Sequence, residues 1–252
     1  KILVVESAGE PGGRMRTDQL EGFQLDRGFQ VLLTAYPEAK RFLDYSALNL
    51  KPFYSGALVR KKEAFHRISD PFRHPMHAFE TLKAPVGTFM DKLQIPLLRE
   101  QFNQMQSEVP TSLWTQTARM YLESYGFSQA MIDEFFTPFF SGVFLEPELE
   151  IPVGQFAFIF QMFAQAPAMM PEKGIQTIPK QLADRLTEDQ IRYYAPVTSL
   201  FPLMLSNGEM LKADNVIVAT DCSTADYLLK EQSNRKYRGV TALYFSADSL
   251  PV

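Results

Sequence analysis

Residues 1–17, KILVVESAGEPGGRMRT, hold the groups in this chain best suited to chemistry. Ile2, Leu3, Val4 and Val5 form a short continuous apolar run, the pattern of a strand buried on both faces. Glu6 closes it with a carboxylate. Pro11, Gly12 and Gly13 follow in a loop where the backbone is bare, and Arg14, Arg16 and Thr17 then supply two cations and a hydroxyl. A carboxylate at the end of a buried strand is how nucleotide-binding α/β folds offer an acceptor to ribose hydroxyls. Glycine backbone beside guanidinium groups suits the diphosphate of the same ligand. The alternative reading of the stretch is an ordinary strand and a Gly-Arg loop.

The order V-V-E, then G-G-R-M-R-T, resembles the second strand and arginine loop of flavin-dependent amine oxidases and phytoene desaturases. In those families a first strand, a G-x-G-x-x-G turn and a helix come before it, with the acidic residue about 20 residues after the turn. The resemblance therefore implies a segment of that size or more upstream of Lys1. It implies FAD as cofactor, with Glu6, Gly12, Gly13, Arg14, Arg16 and Thr17 on its ribose and diphosphate side. The stretch G-F-Q-L-D-R-G-F-Q at 22–30 is similar to a segment that passes the flavin ring in the family. That makes Gly28, Phe29 and Gln30 candidates there, while Asp26 and Gly28 read equally as a hairpin turn.

Further along, P-E-K-G-I-Q-T-I-P-K-Q-L-A at 171–183 resembles the family segment that returns to the nucleotide domain. The resemblance also carries Val197 to the adenine, through its backbone amide and carbonyl, and Ala219 and Thr220 toward the diphosphate. The family's closing G-D-like motif is not within these residues. Without the glycine turn and its helix dipole, the chain is expected to hold FAD weakly or not at all. Amine oxidases often carry a lysine in the strand corresponding to 239–245. The sequence there, GVTALYF, has none, which tilts the expectation toward a desaturase-like reaction.

Composition bounds the alternatives. The chain has 252 residues, 46% of them hydrophobic, enough for a sizeable core in one large or two small domains. A net charge of −4 and the lack of a basic tract argue against a nucleic-acid partner. Cys222 is the single cysteine, which excludes an internal disulfide and fits a reducing, cytoplasmic setting. No apolar run reaches the ~18 residues of a membrane span, although contact with a membrane surface stays open. Asp70, His74 and His77 have part of a metal site's composition, but Pro75 separates the two histidines and zinc sites need three or four ligands. No metal is expected. No G-x-S-x-G elbow or paired-carboxylate arrangement points to a hydrolase.

The elements that must hold these groups follow from periodicity. Residues 22–33 read as strand, tight turn and strand, 36–45 as a helix, and 54–68 as a β-hairpin with Lys61-Lys62-Glu63 at its tip. Helices are expected over 74–82, over 87–105 with an interruption at Pro96, over 113–125 ending at Gly126, and from Ser128 to Pro138. Two phenylalanine clusters, at 135–144 and 156–163, read as core packing or as the lining of an apolar pocket. After a turn at Lys173-Gly174 comes a helix containing Pro179. A hairpin then pairs 197–205 with 209–213 across Asn207-Gly208. Val216-Ile217-Val218-Ala219-Thr220 reads as a buried strand, Asp221 as the cap of a helix through 229, and 240–246 as a last strand.

The fold class expected is mixed α/β: an incomplete FAD/NAD(P)-binding Rossmann-like domain at 1–50 and 168–236, with a helix-rich substrate (cap) domain at 51–167 and 237–252. The activity implied by the resemblance is hydride transfer from an apolar or amine substrate to FAD. The alternative is a non-catalytic module that keeps the fold to bind a lipid or a protein. Neither catalytic residues nor oligomeric state can be read from the sequence.

Overall fold

The computed structural model describes residues 1–28, 30–105, 110–231 and 236–249. The chain divides into two units: Lys1–Gln30 with Phe42–Asn49 and the chain from Pro171 onward, and Val31–Arg41 with Leu50–Met170. Besides Leu50 and residues 168–170, which group with the second unit, these bounds differ from the expected domains in two longer stretches. Residues 31–41 group with the helical unit, because Leu32 and Leu33 pair with Met169 and Ala168. The stretch after 236 groups with the first unit, where the Tyr244 hydroxyl donates to the Asp26 carbonyl.

In the first unit, Val4–Val5 lies parallel to Ile191–Arg192. The ladder continues past the strand: the Glu6 amide donates to the Arg192 carbonyl at 2.9 Å, and the Ala195 amide to the Glu6 carbonyl at 2.8 Å. The expectation of a run buried on both faces fails. Ile2 is 66% exposed, and Leu3 and Val4 are exposed too, since only one edge of the strand is paired among the described residues. The following hairpin joins Thr17–Leu20 to Phe23–Asp26, with Thr17 opposite Asp26. Its turn is one strand earlier than expected, at Glu21-Gly22. Both of those residues have positive φ, the geometry of a type I′ turn that matches strand twist.

The helix Thr177–Ala183 forms as expected. The hairpin after it is rearranged. Val197–Leu200 turns at Phe201-Pro202 and pairs with Leu203–Leu205, because proline can neither donate to a ladder nor leave its fixed φ. The Asn207-Gly208 turn survives as a second reversal, closed by the Leu205 amide on the Glu209 carbonyl at 2.9 Å. Residues 216–220 and 240–246, expected as strands, are in no strand, and Ile217 and Phe245 are almost wholly exposed. An apolar run becomes a buried strand only when a neighbour pairs its edges and a layer covers its faces. Neither run has a ladder partner among the described residues. Asp221 does cap the helix Cys222–Leu229, accepting from the Ser223 and Thr224 amides at 3.0 and 3.1 Å. The Ser223 and Thr224 hydroxyls, which also donate to it, and then these amide bonds hold its carboxyl far below the usual carboxylate range.

In the second unit, Leu32–Leu33, Ala168–Pro171 and Leu50–Pro52 make a three-stranded sheet with Ala168–Pro171 in the centre. The hairpin Gly56–Lys61 and Ala64–Ser69 turns at Lys62-Glu63 as expected. A 3₁₀ turn, Pro75–His77, leads into the helix Ala78–Lys83. The helix Phe89–Gln104 starts on a capping box between Thr88 and Asp91 and runs through Pro96 without a break, contrary to expectation. Its cap and its buried Leu98 and Phe102 outweigh the ~3 kcal/mol that an interior proline costs. Residues 113–125 are not one helix either: a 3₁₀ turn, Thr111–Trp114, comes before Ala118–Tyr125, because Thr117 acts as a new cap. Gly126, with φ 101°, ends that helix as expected.

From Ser128 the helix passes through a π turn, Ile132–Phe136, and on to Phe144. Pro138 has no amide for the Glu134 carbonyl, which is a standard cause of such a widened turn. Both phenylalanine clusters pack into the core, with Phe158 alone exposed. Phe102, Phe136 and Phe156 are fully buried and meet edge to face at 5.9 to 6.3 Å, together with the helix Val153–Gln165. Asp70, His74 and His77 have separate partners: Arg73 at 2.8 Å, the Tyr54 ring at 4.2 Å and Glu80 at 3.2 Å. Among the described residues no helix is long and apolar enough to cross a membrane.

Candidate cofactor-binding site

All the candidate residues belong to the first unit. Glu6 is half-buried at the end of its strand. One carboxylate oxygen, Oε1, accepts from the Ala8 amide at 2.8 Å and the Ser7 hydroxyl at 3.2 Å, which fixes the group against the turn that follows. The other oxygen has no protein partner among the described residues. Two residues beyond the Ala195 amide on the Glu6 carbonyl lies Val197, opposite Leu205 in its hairpin. The ladder thus brings the acidic strand end close to the expected adenine strand.

The glycine loop is built for backbone approach. Gly12 has φ +122°, and a Cβ there would stand 2.5 Å from the Met15 carbonyl oxygen, so the position admits only glycine. A Cβ on Gly13 would meet nothing within 4 Å. Beside this bare backbone, Arg14 and Arg16 make no ion pair or side-chain hydrogen bond among the described residues. Neighbouring charges are used up: Arg27 grips Asp18 through two bonds of 2.8 and 3.0 Å, and Lys180 meets Glu10 at 3.1 Å. Glu10 is held below the usual carboxylate range, first by its bond from Lys180 and in smaller part by the charge of Arg16.

Thr17 is occupied by the protein itself. Its hydroxyl donates to Asp26 at 2.6 Å and accepts from the Gln176 amide at 3.1 Å. Its own amide donates to the Gln176 side chain at 3.3 Å. Asp26 also accepts from the Ile175 amide at 3.0 Å, and Gln176 reaches Glu10 at 2.5 Å. The return segment is thereby locked to the arginine loop and its hairpin. Gln30 likewise braces the loop, donating to the Arg14 and Arg27 carbonyls at 2.9 and 2.7 Å. Gly28 has φ +86° and lies outside the hairpin turn, which is at Glu21-Gly22, and Phe29 lies outside the described residues. Ala219 and Thr220 are exposed just before the Asp221-capped helix, which packs on the Val197 strand.

The family model for flavin containing amine oxidoreductases matches residues 1–251. The chain belongs to that family. No curated protein matches it. Among solved structures, a protein assigned as a protoporphyrinogen oxidase from Exiguobacterium sp. 255-15 is 16% identical, with a TM-score of 0.58 over 91% of this chain and 55% of its own. Putrescine oxidase bound to putrescine is 17% identical, with a TM-score of 0.53 over 78% of this chain and 46% of its own. A Rab GDI from Plasmodium falciparum is 17% identical, with a TM-score of 0.52 over 83% and 57%. At such identities the likeness is one of fold. The chain spans about half the length of these structures. It has the mixed α/β fold of the family's FAD-binding proteins, with part of the Rossmann-like domain and a helical unit.

The residues present fit a dinucleotide. A carboxylate oxygen without a protein partner, a glycine position that no side chain can enter and two guanidinium groups with no hydrogen bond to a carboxylate among the described residues form a set that the loop's own folding does not consume. The residues that hold this set in place are Glu10, Asp26, Gln176 and Lys180; the sequence marked Asp26 only as a turn and gave no partner for any of them. Their bonds span up to 166 positions of sequence.

Proposed function

We propose that the whole protein is an FAD-dependent oxidoreductase that takes hydride from a carbon of an apolar or amine substrate. The observation that carries this reading is the pair Arg14 and Arg16, neither hydrogen-bonded to a carboxylate among the described residues, beside the Gly12-Gly13 backbone and downstream of Glu6. In it, Glu6 accepts from ribose hydroxyls, and Arg14 and Arg16 face the diphosphate. Thr17, Asp26 and Gln176 keep the loop in register, and Val197 lies on the adenine side. FAD supplies the hydride acceptor when bound. The chain's own part is to bind, orient and exclude water, so a strong acid or base is not required of it.

The substrate tilt now rests on less. Phe158 apart, the phenylalanines of the two clusters pack in the core, so they do not favour an apolar pocket. The absence of a lysine from 239–245 still supports the desaturase-like side. The single cysteine supports a reducing, cytoplasmic setting, and the net charge of −4 argues against nucleic acid. Purification of the whole gene product tests the proposal. A yellow protein with a flavin spectrum is expected, with binding weakened about tenfold or more by Arg14→Ala. A colourless product that refuses added FAD would overturn it and leave the non-catalytic lipid- or protein-binding module.

A further inference from the structure

Tyr194 is held in a conformation that its side chain opposes. Its φ is +52°, in the left-handed region where a Cβ crowds the backbone and a bulky residue is an outlier. The other described residues with such a φ have a local account. Glu21 and Lys62 turn hairpins, Leu145 and Lys230 end helices, Asn49 is of a type that tolerates the region, and Leu149 is fully buried. Tyr194 ends no helix, turns no hairpin and is 81% exposed. A lone exposed aromatic is ordinary, but one on a strained backbone calls for a reason.

Its place in the fold supplies one. The Tyr194 amide donates to the Ala8 carbonyl at 3.0 Å, and the next amide, of Ala195, to the Glu6 carbonyl at 2.8 Å. These bonds pin the residue against the turn that follows Glu6, three positions before Val197. From there the side chain reaches Gly9. A Cβ on Gly9 would fall on the Tyr194 hydroxyl and the ring carbon that bears it, so the ring fills the space that any other residue at 9 would need. Gly9 stands midway in sequence between Glu6 and Gly12. The ring is thus set beside the backbone that joins the acidic strand end to the bare glycine loop. Its hydroxyl makes no hydrogen bond among the described residues.

Backbone strain is retained where the surrounding structure fixes it, and ligand clamps are a common place for it. The neighbours of this ring say which part of a dinucleotide it suits. Glu6 is an acceptor for ribose hydroxyls, and Arg14 and Arg16 are cations for the diphosphate. An uncharged aromatic face suits neither of those groups. It suits the remaining part, the flat π-face of the base.

We infer that Tyr194 is a binding residue for the adenosine half of the cofactor, its ring backed by Gly9 and its open side turned to the base. The inference rests on the FAD reading above. The test is the whole gene product, stripped of flavin and titrated with FAD, and with ADP in competition with FAD. Tyr194→Gly should weaken FAD and ADP by the same factor, about tenfold. Tyr194→Phe keeps the ring and should stay close to the parent. Gly9→Ala, whose methyl displaces the ring, should behave like Tyr194→Gly. The urea midpoint of the flavin-free protein should not fall in Tyr194→Gly, because glycine takes this φ without strain. Equal FAD affinity in the parent and Tyr194→Gly would overturn the inference, as would a loss of FAD affinity with ADP unchanged. So would a lower midpoint in Tyr194→Gly with FAD affinity intact, since that assigns the ring to packing. A parent protein that takes up no FAD would overturn the FAD reading itself, and this inference with it.

Discussion

Thr17→Val separates two roles for a residue that both the cofactor and the fold have a claim on. The substitution keeps the shape of the side chain and removes one hydroxyl. Two bonds disappear with it: the 2.6 Å donation to the Asp26 carboxylate and the 3.1 Å acceptance from the Gln176 amide. A hydrogen bond to a charged group contributes about 1.5–3 kcal/mol, and a stranded buried amide costs about 1–3. Thr17 and Asp26 are only half-buried, so the lower end of each range applies, and the sum is about 2–3 kcal/mol. For a unit of this size, with a urea slope of about 2 kcal/mol/M, the midpoint should fall by about 1 M. The single tryptophan, Trp114, belongs to the other unit. The readout is therefore circular dichroism in urea together with amide exchange at 174–178, where protection should drop most. Thr17→Ser keeps the hydroxyl and should stay close to the parent chain. Equal midpoints for Thr17→Val, Thr17→Ser and the parent would refute the reasoning, and would return the hydroxyl to a ligand-binding role.

The remaining predictions concern the loop and the helical unit. Gly12→Ala should destabilise the first unit by about 1–3 kcal/mol, because its φ of +122° and the Met15 carbonyl at 2.5 Å leave no room, while Gly13→Ala should cost about 1 kcal/mol or less; urea midpoints rank the two. Asp91 is 1% exposed; burial pushes its carboxyl up, but bonds from Ser128 and Thr88 outweigh that and leave it below its ordinary value. Its contribution is therefore full above about pH 4, where the unfolded group is ionised, and is lost as pH falls through the folded value. A urea midpoint followed against pH should show that loss in the parent chain and not in Asp91→Asn, which should itself cost about 2–4 kcal/mol. Phe156→Ala, at a fully buried ring, should cost about 3–5 kcal/mol, and Phe158→Ala, on the exposed side of the same helix, less than half of that by the same assay.

Local signals in this chain were legible where their causes are local. Asp221 and Ser128 capped the helices that their side chains could reach. Gly126 ended a helix because glycine alone accepts its φ without strain, and the Lys62-Glu63 hairpin tip followed from alternation on either side. The arginine loop was legible in another way. Gly12, Arg14 and Glu6 stand close together in sequence, so the resemblance found them as a group.

Tertiary structure decided what depends on distant partners. The apolar runs 2–5, 216–220 and 240–246 all read as strands, yet a strand is a relation between segments. Only Val4–Val5 among them found a neighbour, Ile191–Arg192. Pro202 split a strand that alternation alone would have continued, and Pro96 failed to break a helix held at its cap and core. Thr17 shows the division most clearly. From the sequence it was a hydroxyl beside two arginines, available to a ligand. In the fold its partners are Asp26, nine positions away, and Gln176, 159 away. Residue type determined that a hydrogen bond would be sought there, and only the folded chain determined with whom.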